Sequence, residues 1–256
     1  LRDLFLYRFG IGRLAGHNFG NIFLSAMQKL TNRFEDAVLE AGKILNIKGR
    51  VIPVTVEPMV LMAEFENKKT VKGEHKISGY RKSKIKKVFL EKEVHTSYEA
   101  VQAILEADFI IFAPGDLYTS VVPNFLSFGM TEALRRTNAK IAYVVNLMTR
   151  RGETDGFGAY NFLTELEGYL GINVVDYILV NTAVPSEDML QLYKAENEHF
   201  VHPNLDKLGN TRYKVITGDF LSKIEFEKNS SDKLKRSILR HDSDKLAREL
   251  MNIITL

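Results

Sequence analysis

The stretch Phe109-Ile110-Ile111-Phe112 is apolar at every position, and Ile141-Ala142-Tyr143-Val144-Val145 is nearly so. A strand with one wet face alternates; these do not, so both faces of their sheet must be covered. Helices on each side of a parallel sheet provide that cover. The surrounding pattern supplies such helices. Periodicity predicts a helix over 98–106, a strand over 108–113, a loop over 114–120 and a helix over 122–136. It continues with a strand over 140–147, a loop over 148–157, a helix over 160–170 and a strand over 175–181. A helix over 186–196, a strand over 214–217 and a last helix over 243–254 complete the series. The fold class is therefore α/β: Rossmann-like, with a mainly parallel sheet and helices on both faces.

Upstream of this series the pattern differs. Helices are predicted over 1–9, 18–31 and 34–45, and then come short runs rich in β-formers at 51–56, 60–65, 70–74 and 85–90. The polar Asn67-Lys68-Lys69 between two of them reads as a hairpin turn. Residues 51–92 are thus expected to form a small antiparallel β subdomain inside a single domain spanning 1–256. At 256 residues and 45% hydrophobic composition, one large core is affordable. The chain opens at Leu1 within the apolar pattern of Leu4, Phe5, Leu6 and Phe9, which reads as N-terminally incomplete. Residues 228–232 read as a polar surface loop.

Composition removes several function classes. There is no cysteine, so disulfides and thiolate metal sites are excluded, and a cytoplasmic location fits. The longest apolar runs are too short to cross a bilayer, so no membrane partner is expected. A net charge of +3 gives only weak attraction for anions. Residues 68–87 carry nine lysines and arginines against the single acid Glu74. Outward lysines on short strands protect against edge pairing, and aromatic stacking partners are few, so nucleic acid is not the expected partner. The β patch over 60–90 leaves homo-oligomerisation open.

In open α/β sheets ligands bind outside the carboxyl ends of the strands, where helix N-termini present free N–H groups. Two loops fall there. The first is Pro114-Gly115-Asp116-Leu117-Tyr118-Thr119-Ser120: Gly115 lets the backbone approach a ligand, and Thr119 and Ser120 offer hydroxyls, or else cap the next helix. The second, 148–157, is longer than most such connections, which favours function. Its Arg150 and Arg151 clamp a phosphate or are solvated; its Asp155 binds a ribose hydroxyl or a metal, or caps the following helix. Gly16-His17-Asn18-Phe19-Gly20-Asn21 is a third, weaker candidate. His199 and His202 lack a third ligand nearby and are assigned no metal role.

Ala15-Gly16-His17-Asn18-Phe19-Gly20-Asn21, Pro114-Gly115-Asp116-Leu117-Tyr118-Thr119-Ser120-Val121-Val122-Pro123-Asn124, and Asn146-Leu147-Met148-Thr149 with Gly152-Glu153-Thr154-Asp155-Gly156 occur in this order. Together, and with Arg240-His241-Asp242, they resemble the gluconeogenesis factor (YvcK) family within the CofD-like phospholactate transferase superfamily. The resemblance implies a cytoplasmic, Rossmann-like regulatory protein that binds a UDP-sugar. It also implies a need for the protein in cell shape and morphogenesis under gluconeogenic growth, through an unknown protein partner in cell-wall metabolism. No cofactor is required on this reading. The alternative within the superfamily is a phospholactyl transferase acting on a flavin-like acceptor, with Mg²⁺ held by Asp116 and Asp155.

Carried across residue by residue, the resemblance places the ligand among Asn18, Gly115, Asp116, Leu117, Tyr118, Thr119, Ser120, Asn146, Thr149, Thr154, Asp155 and Gly156. It adds Tyr193 for stacking on uracil and Arg240 for pairing with pyrophosphate. Each of the two has a plainer role open to it: Tyr193 as a core-edge tyrosine, Arg240 as half of an ion pair that fixes the terminal helix. Two departures stand out. The family's opening strand and Gly-Gly-Gly-Thr-Gly turn are missing from this sequence, so the phosphate site is expected to be only partly represented. Asp116 also stands where the family commonly has Ser, and an added carboxylate repels phosphate unless a cation or an arginine intervenes.

Overall fold

A computed structural model describes residues 1–209, 212–223 and 238–255. Two compact units are present, the first built on Leu1–Val56 and the second on Glu57–Ile224 with Leu239–Leu256. The loop expected at 228–232 lies outside the described residues.

Among its described residues the first unit holds three helices: α1 (Arg2–Leu6), α2 (Phe19–Thr31) and α3 (Phe34–Leu45). Phe5 packs edge-on against Phe19 and Phe23, which joins α1 to α2. Asn18 is the N-cap of α2, its side chain accepting from the Asn21 N–H, and Asn32 ends that helix in the left-handed region. The strand expected at 51–56 does not form. Pro53 has no N–H to give to a ladder, Val51 is 65% exposed, and the chain bends at Val54 and Val56, so no strand is formed there.

In the second unit, β1 (Leu61–Phe65), β2 (Thr70–Lys72), α4 (Glu74–Gly79) and β3 (Ile85–Leu90) make a three-stranded antiparallel sheet in the order β2-β1-β3. Alternation puts Leu61, Ala63 and Phe65 inward against Ile85 and Val88. The 67–69 turn closes as expected, with Lys68 at φ 65° and the Lys69 N–H held by the Asn67 side chain. The strand expected at 70–74 stops at Lys72: Gly73, at φ 92°, turns the chain into α4, which buries Ile77.

Then follow α5 (Tyr98–Leu105), β4 (Phe109–Phe112), α6 (Met130–Arg136), β5 (Lys140–Val144), α7 (Ala159–Leu170), β6 (Tyr177–Asn181), α8 (Glu187–Lys194), α9 (Leu205–Leu208), β7 (Lys214–Gly218) and α10 (Ser243–Ile254). The strands β4-β5-β6-β7 lie in sequence order and all run parallel. With right-handed crossovers, consecutive order puts the connecting helices on one face. Helix α10 covers the other: Leu246, Leu250 and Ile253 pack on Ala142, Val144 and Leu179. The protein is therefore α/β, with a Rossmann-like parallel sheet between helices and a small antiparallel sheet beside it. Among the described residues no helix is long and apolar enough to cross a membrane.

One connection departs from expectation. The continuous helix foreseen over 122–136 is instead a π turn at Leu117–Val121, a 3₁₀ turn at Val122–Phe125 and the separate α6. The chain breaks at 126–129 because Phe128 pairs with another segment: its N–H donates to the Val94 carbonyl, and its carbonyl accepts from the Thr96 N–H. Gly129, at φ 93°, turns the chain into α6.

Candidate functional site at the strand ends

The loops after β4 and β5 are tied together. Asn146, just beyond β5, donates from Nδ2 to the Gly115 carbonyl at 2.7 Å. The π turn then forms because the Asp116 carbonyl accepts two bonds, from the Ser120 N–H at 2.8 Å and the Val121 N–H at 3.1 Å. Leu117, Tyr118 and Thr119 turn inward and are buried, while Ser120 faces solvent and Asp116 is half-buried. Neither Thr119 nor Ser120 caps the following helix, since α6 starts only after Gly129.

The 148–157 loop folds on itself. The Thr154 hydroxyl accepts the Arg150 N–H at 2.8 Å, and Asp155 Oδ2 accepts the Gly152 N–H at 2.6 Å. Thr149 exchanges two bonds with His199, its N–H to the His199 carbonyl and its hydroxyl accepting the His199 N–H. Thr149, Thr154 and Asp155 thus act on the backbone of the loop. Asp155 caps no helix, since α7 is preceded by Gly158. Gly156, at φ 76°, supplies the left-handed turn before α7.

Charge is concentrated beneath these loops. Arg150 reaches Glu198 at 3.5 Å, and its Nε is enclosed without a hydrogen-bond partner. Glu153 is 2% exposed, and neither of its carboxyl oxygens has a hydrogen-bond partner; the Ser78 hydroxyl stands near without bonding geometry. Burial pushes the Glu153 carboxyl up to about 7, helped by the Asp116 charge and opposed by Arg150. Burial also raises Glu198, again against the pull of Arg150. Tyr118 is driven far up by burial and by Glu165 beside it, so its phenol is a neutral donor.

Two further enclosed atoms complete the picture. Asn146 Oδ1 has no hydrogen-bond partner, and neither has His241 Nε2, although the ring of His241 bonds the Val145 backbone. Burial pulls His241 down to about 4, which keeps it a neutral imidazole. A cleft of about 270 Å³ opens between α8 and 198–200, with Gln191, Lys194, Glu198 and His199 on its walls.

The structure thus gathers Gly115, Asp116, Leu117, Tyr118, Thr119, Ser120, Asn146, Thr149, Thr154, Asp155 and Gly156 on the two loops at the carboxyl ends of β4 and β5. Asn18 belongs to the first unit as a helix cap. Tyr193 is 7% exposed within a cluster of Leu147 and Met148, and its hydroxyl accepts the Leu239 N–H at 2.9 Å. Arg240 is half-buried beside it, its carbonyl accepting from the Ser222 N–H. Sequence reasoning missed Glu153, Glu198 and His241 as site residues. Glu153 sits inside a singled-out motif and was findable; Glu198 carries no local signal. Among the described residues no group of three His, Cys, Asp or Glu side chains is placed to hold a metal.

Parallel strands ending in two polar, hydrogen-bonded loops define a Rossmann-like α/β protein, a class whose members bind ligands at the strand ends. The sequence profile described as 2-phospho-L-lactate transferase CofD matches residues 1–221. The gluconeogenesis factor of Bacillus subtilis is 34% identical over 256 residues, covering 99% of this chain and 77% of that protein. A relative from Clostridium acetobutylicum is 37% identical over 258 residues, covering 99% of this chain but 55% of its own length. A Bacillus halodurans protein of known crystal structure superposes with a TM-score of 0.87 at 34% identity, over 97% of this chain and 77% of that one. The chain belongs to the CofD family, in its gluconeogenesis factor branch.

Proposed function

We propose that this protein binds a nucleotide sugar, a UDP-sugar, at the carboxyl ends of β4 and β5, and acts as a cytoplasmic regulator of cell shape under gluconeogenic growth. The supporting observation is that Asn146 Oδ1, Arg150 Nε, both Glu153 carboxyl oxygens and His241 Nε2 are among the enclosed polar atoms without hydrogen-bond partners, and all lie on segments that adjoin those strand ends. Buried polar atoms are nearly always paired in native proteins, and a cluster of exceptions marks a place where another group bonds. Arg150 and Arg240 supply positive charge for a pyrophosphate, and the first turn after Asp116 supplies backbone N–H groups. The regulatory role, exercised through a protein of cell-wall metabolism, rests on membership of the gluconeogenesis factor branch.

One observation favours a second reading, transfer of a phospholactyl group to a flavin-like acceptor with Mg²⁺. The Asp116 charge raises the proton affinity of both Glu153 and Glu198, and a divalent cation beside these carboxylates would relieve such repulsion, although among the described residues no three of them are grouped to hold one. Asp155, the other expected cation ligand, has one carboxylate oxygen committed to the Gly152 N–H. Calorimetric titration of the full-length protein with UDP-N-acetylglucosamine, with and without magnesium, separates the two readings. Binding without magnesium and without turnover supports the regulator. Silence toward every UDP-sugar, or product formation with a phospholactyl donor and magnesium, moves the assignment to the transferase.

A further inference from the structure

The segment 198–201 is held along the chain that leaves β5. The Thr149 N–H donates to the His199 carbonyl at 2.7 Å, the Val201 N–H donates to the Leu147 carbonyl at 2.9 Å, and Met148 and Phe200 form an antiparallel bridge. The segment is also tied back to α8: Asn197 takes φ 57°, and the Glu198 N–H donates to the Tyr193 carbonyl at 3.0 Å. The cleft of about 270 Å³ lies between these two fixed elements, lined by Leu190 and Lys194 of α8 and by Glu198 and Phe200 of the segment. Its walls are therefore set before any ligand arrives.

Glu198 is the unusual member of this lining. It is 8% exposed, and among the described residues neither of its carboxylate oxygens accepts a hydrogen bond. Arg150 stands 3.5 Å away, an ion pair without bonding geometry. Unlike the oxygens of Glu153, those of Glu198 are not sealed in, so their lone pairs open onto the cleft that the residue lines. Burial disfavours this charge, Asp116 and Glu196 add to the cost, and Arg150 with Arg81 offsets it only in part. A carboxylate in that state gains from a cation that also donates hydrogen bonds.

The rest of the lining narrows what that cation is attached to. Glu187 already accepts from the Gln191 amide at 2.8 Å. The Lys194 ammonium has no ion pair among the described residues and is left to answer an anion. Leu190 and Phe200 supply apolar wall, and the volume falls below the roughly 300 Å³ at which pockets for drug-sized ligands begin. The complement of this lining is small, carries both charges and has a short apolar body.

We propose that this cleft is a binding site of its own, for a small zwitterion of the amino-acid class: the ammonium donates to Glu198, the carboxylate pairs with Lys194, and a short apolar side chain lies against Leu190 and Phe200. An ammonium suits Glu198 better than a metal ion does, since among the described residues no three acidic or histidine side chains are grouped to hold one. The site does not depend on the nucleotide-sugar reading and stands or falls without it.

The test is an NMR titration of the full-length protein with three probes of one shape: L-leucine, 3-methylbutylamine, which lacks the carboxylate, and 4-methylpentanoate, which lacks the ammonium. Wild type, Glu198→Gln and Lys194→Met are compared. The expected result is millimolar binding of L-leucine to wild type, with a loss of at least about tenfold in each variant, the size of one charge-assisted contact. The amine should bind wild type more weakly than L-leucine, lose affinity in Glu198→Gln and be indifferent to Lys194→Met. No binding of L-leucine up to about 20 mM overturns the proposal, because that is weaker than two charge contacts and an apolar wall should give. Equal affinity of 4-methylpentanoate and L-leucine overturns it as well, since the ammonium would then contribute nothing. So does L-leucine binding that neither variant changes. Lys194 is exposed on α8, so Lys194→Met remains a folded test even if Glu198→Gln, which leaves Arg150 without its ion pair, fails to fold.

Discussion

Asn146 donates from Nδ2 to the Gly115 carbonyl at 2.7 Å, and this one bond couples the loops that follow the adjacent strands β4 and β5. An aspartate at the same position has nothing to donate and places a charge against a carbonyl oxygen. Asn146→Asp is therefore expected to cost about 2 kcal/mol of stability, the range for a broken, partly buried hydrogen bond with a charge left behind. A urea unfolding midpoint checks this. UDP-sugar affinity is expected to fall at least about tenfold in the same variant, since both loops lose their mutual register. A wild-type midpoint would mean that the loops are held by other contacts.

Glu153 makes stability depend on pH in a definite direction. Its folded carboxyl is raised to about 7 by burial, above the ordinary value of 4.5, so the folded state binds the proton more tightly. The contribution is fully present below the unfolded value and is lost as pH rises through about 7. Glu153→Gln, which cannot ionise, should match wild type near pH 4. It should exceed wild type by roughly 3 kcal/mol near pH 8, the size expected when a carboxyl ordinarily at 4.5 is held at about 7. Urea unfolding of both proteins at the two pH values decides it. A difference that is the same at both would show that Glu153 does not ionise in this range.

The parallel core was legible from the uninterrupted apolar runs of β4 and β5, although on the edge strand β4 Ile111 is left 43% exposed and, of the two, only β5 has both faces covered. The terminal helix is capped by Asp242, which accepts from the Asp244 and Lys245 N–H groups. The break between the π turn and α6 was not legible. Val121, Val122, Phe125, Met130 and Leu134 are apolar at intervals that suit one helix, and only the pairing of Phe128 with Val94 and Thr96 interrupts it. A similar limit applies to the site. Thr149, Thr154 and Asp155 announce themselves by loop length and residue type. Glu198 matters only because Arg150 meets it across 48 residues of chain, and His241 only because Val145 lies beneath it. Residue type in a loop can be read locally; a charge partner supplied by packing cannot.

Two glycines of the 148–157 loop separate backbone freedom from close approach. Gly152 has φ 83°, and a Cβ there would lie 3.0 Å from the Tyr80 carbonyl oxygen and 3.3 Å from Arg81 Cα. Gly156 has φ 76° with nothing within 4 Å. Gly156→Ala should cost about 1 kcal/mol, the left-handed penalty alone. Gly152→Ala should cost about 2 kcal/mol or more, because the backbone of 80–81 must also move. Denaturation midpoints should fall in that order, and equal losses would mean that the 80–81 segment yields freely.

The basic run at 68–87 gives the last prediction. Lys86 and Lys87 both pair with Glu64, Lys72 pairs with Glu91, and Arg81 pairs with Glu196. Lys84 donates to the Asp155 carbonyl, and Lys69 sits over the Tyr80 ring. With these charges engaged by Glu64, Glu91, Glu196 and a backbone carbonyl, the run is expected to act as a partly neutralised, solvated edge rather than as a phosphate-binding array. Binding of duplex or single-stranded DNA, followed by fluorescence anisotropy across salt concentrations, should be weak and lose strength with a logarithmic slope near zero to two. A slope of about six or more would require that many phosphate contacts and would restore the run as a nucleic-acid surface. Charge reversal of Glu64 to Lys provides the matching control: it frees Lys86 and Lys87, and should steepen the slope if these pairs are what silences the patch.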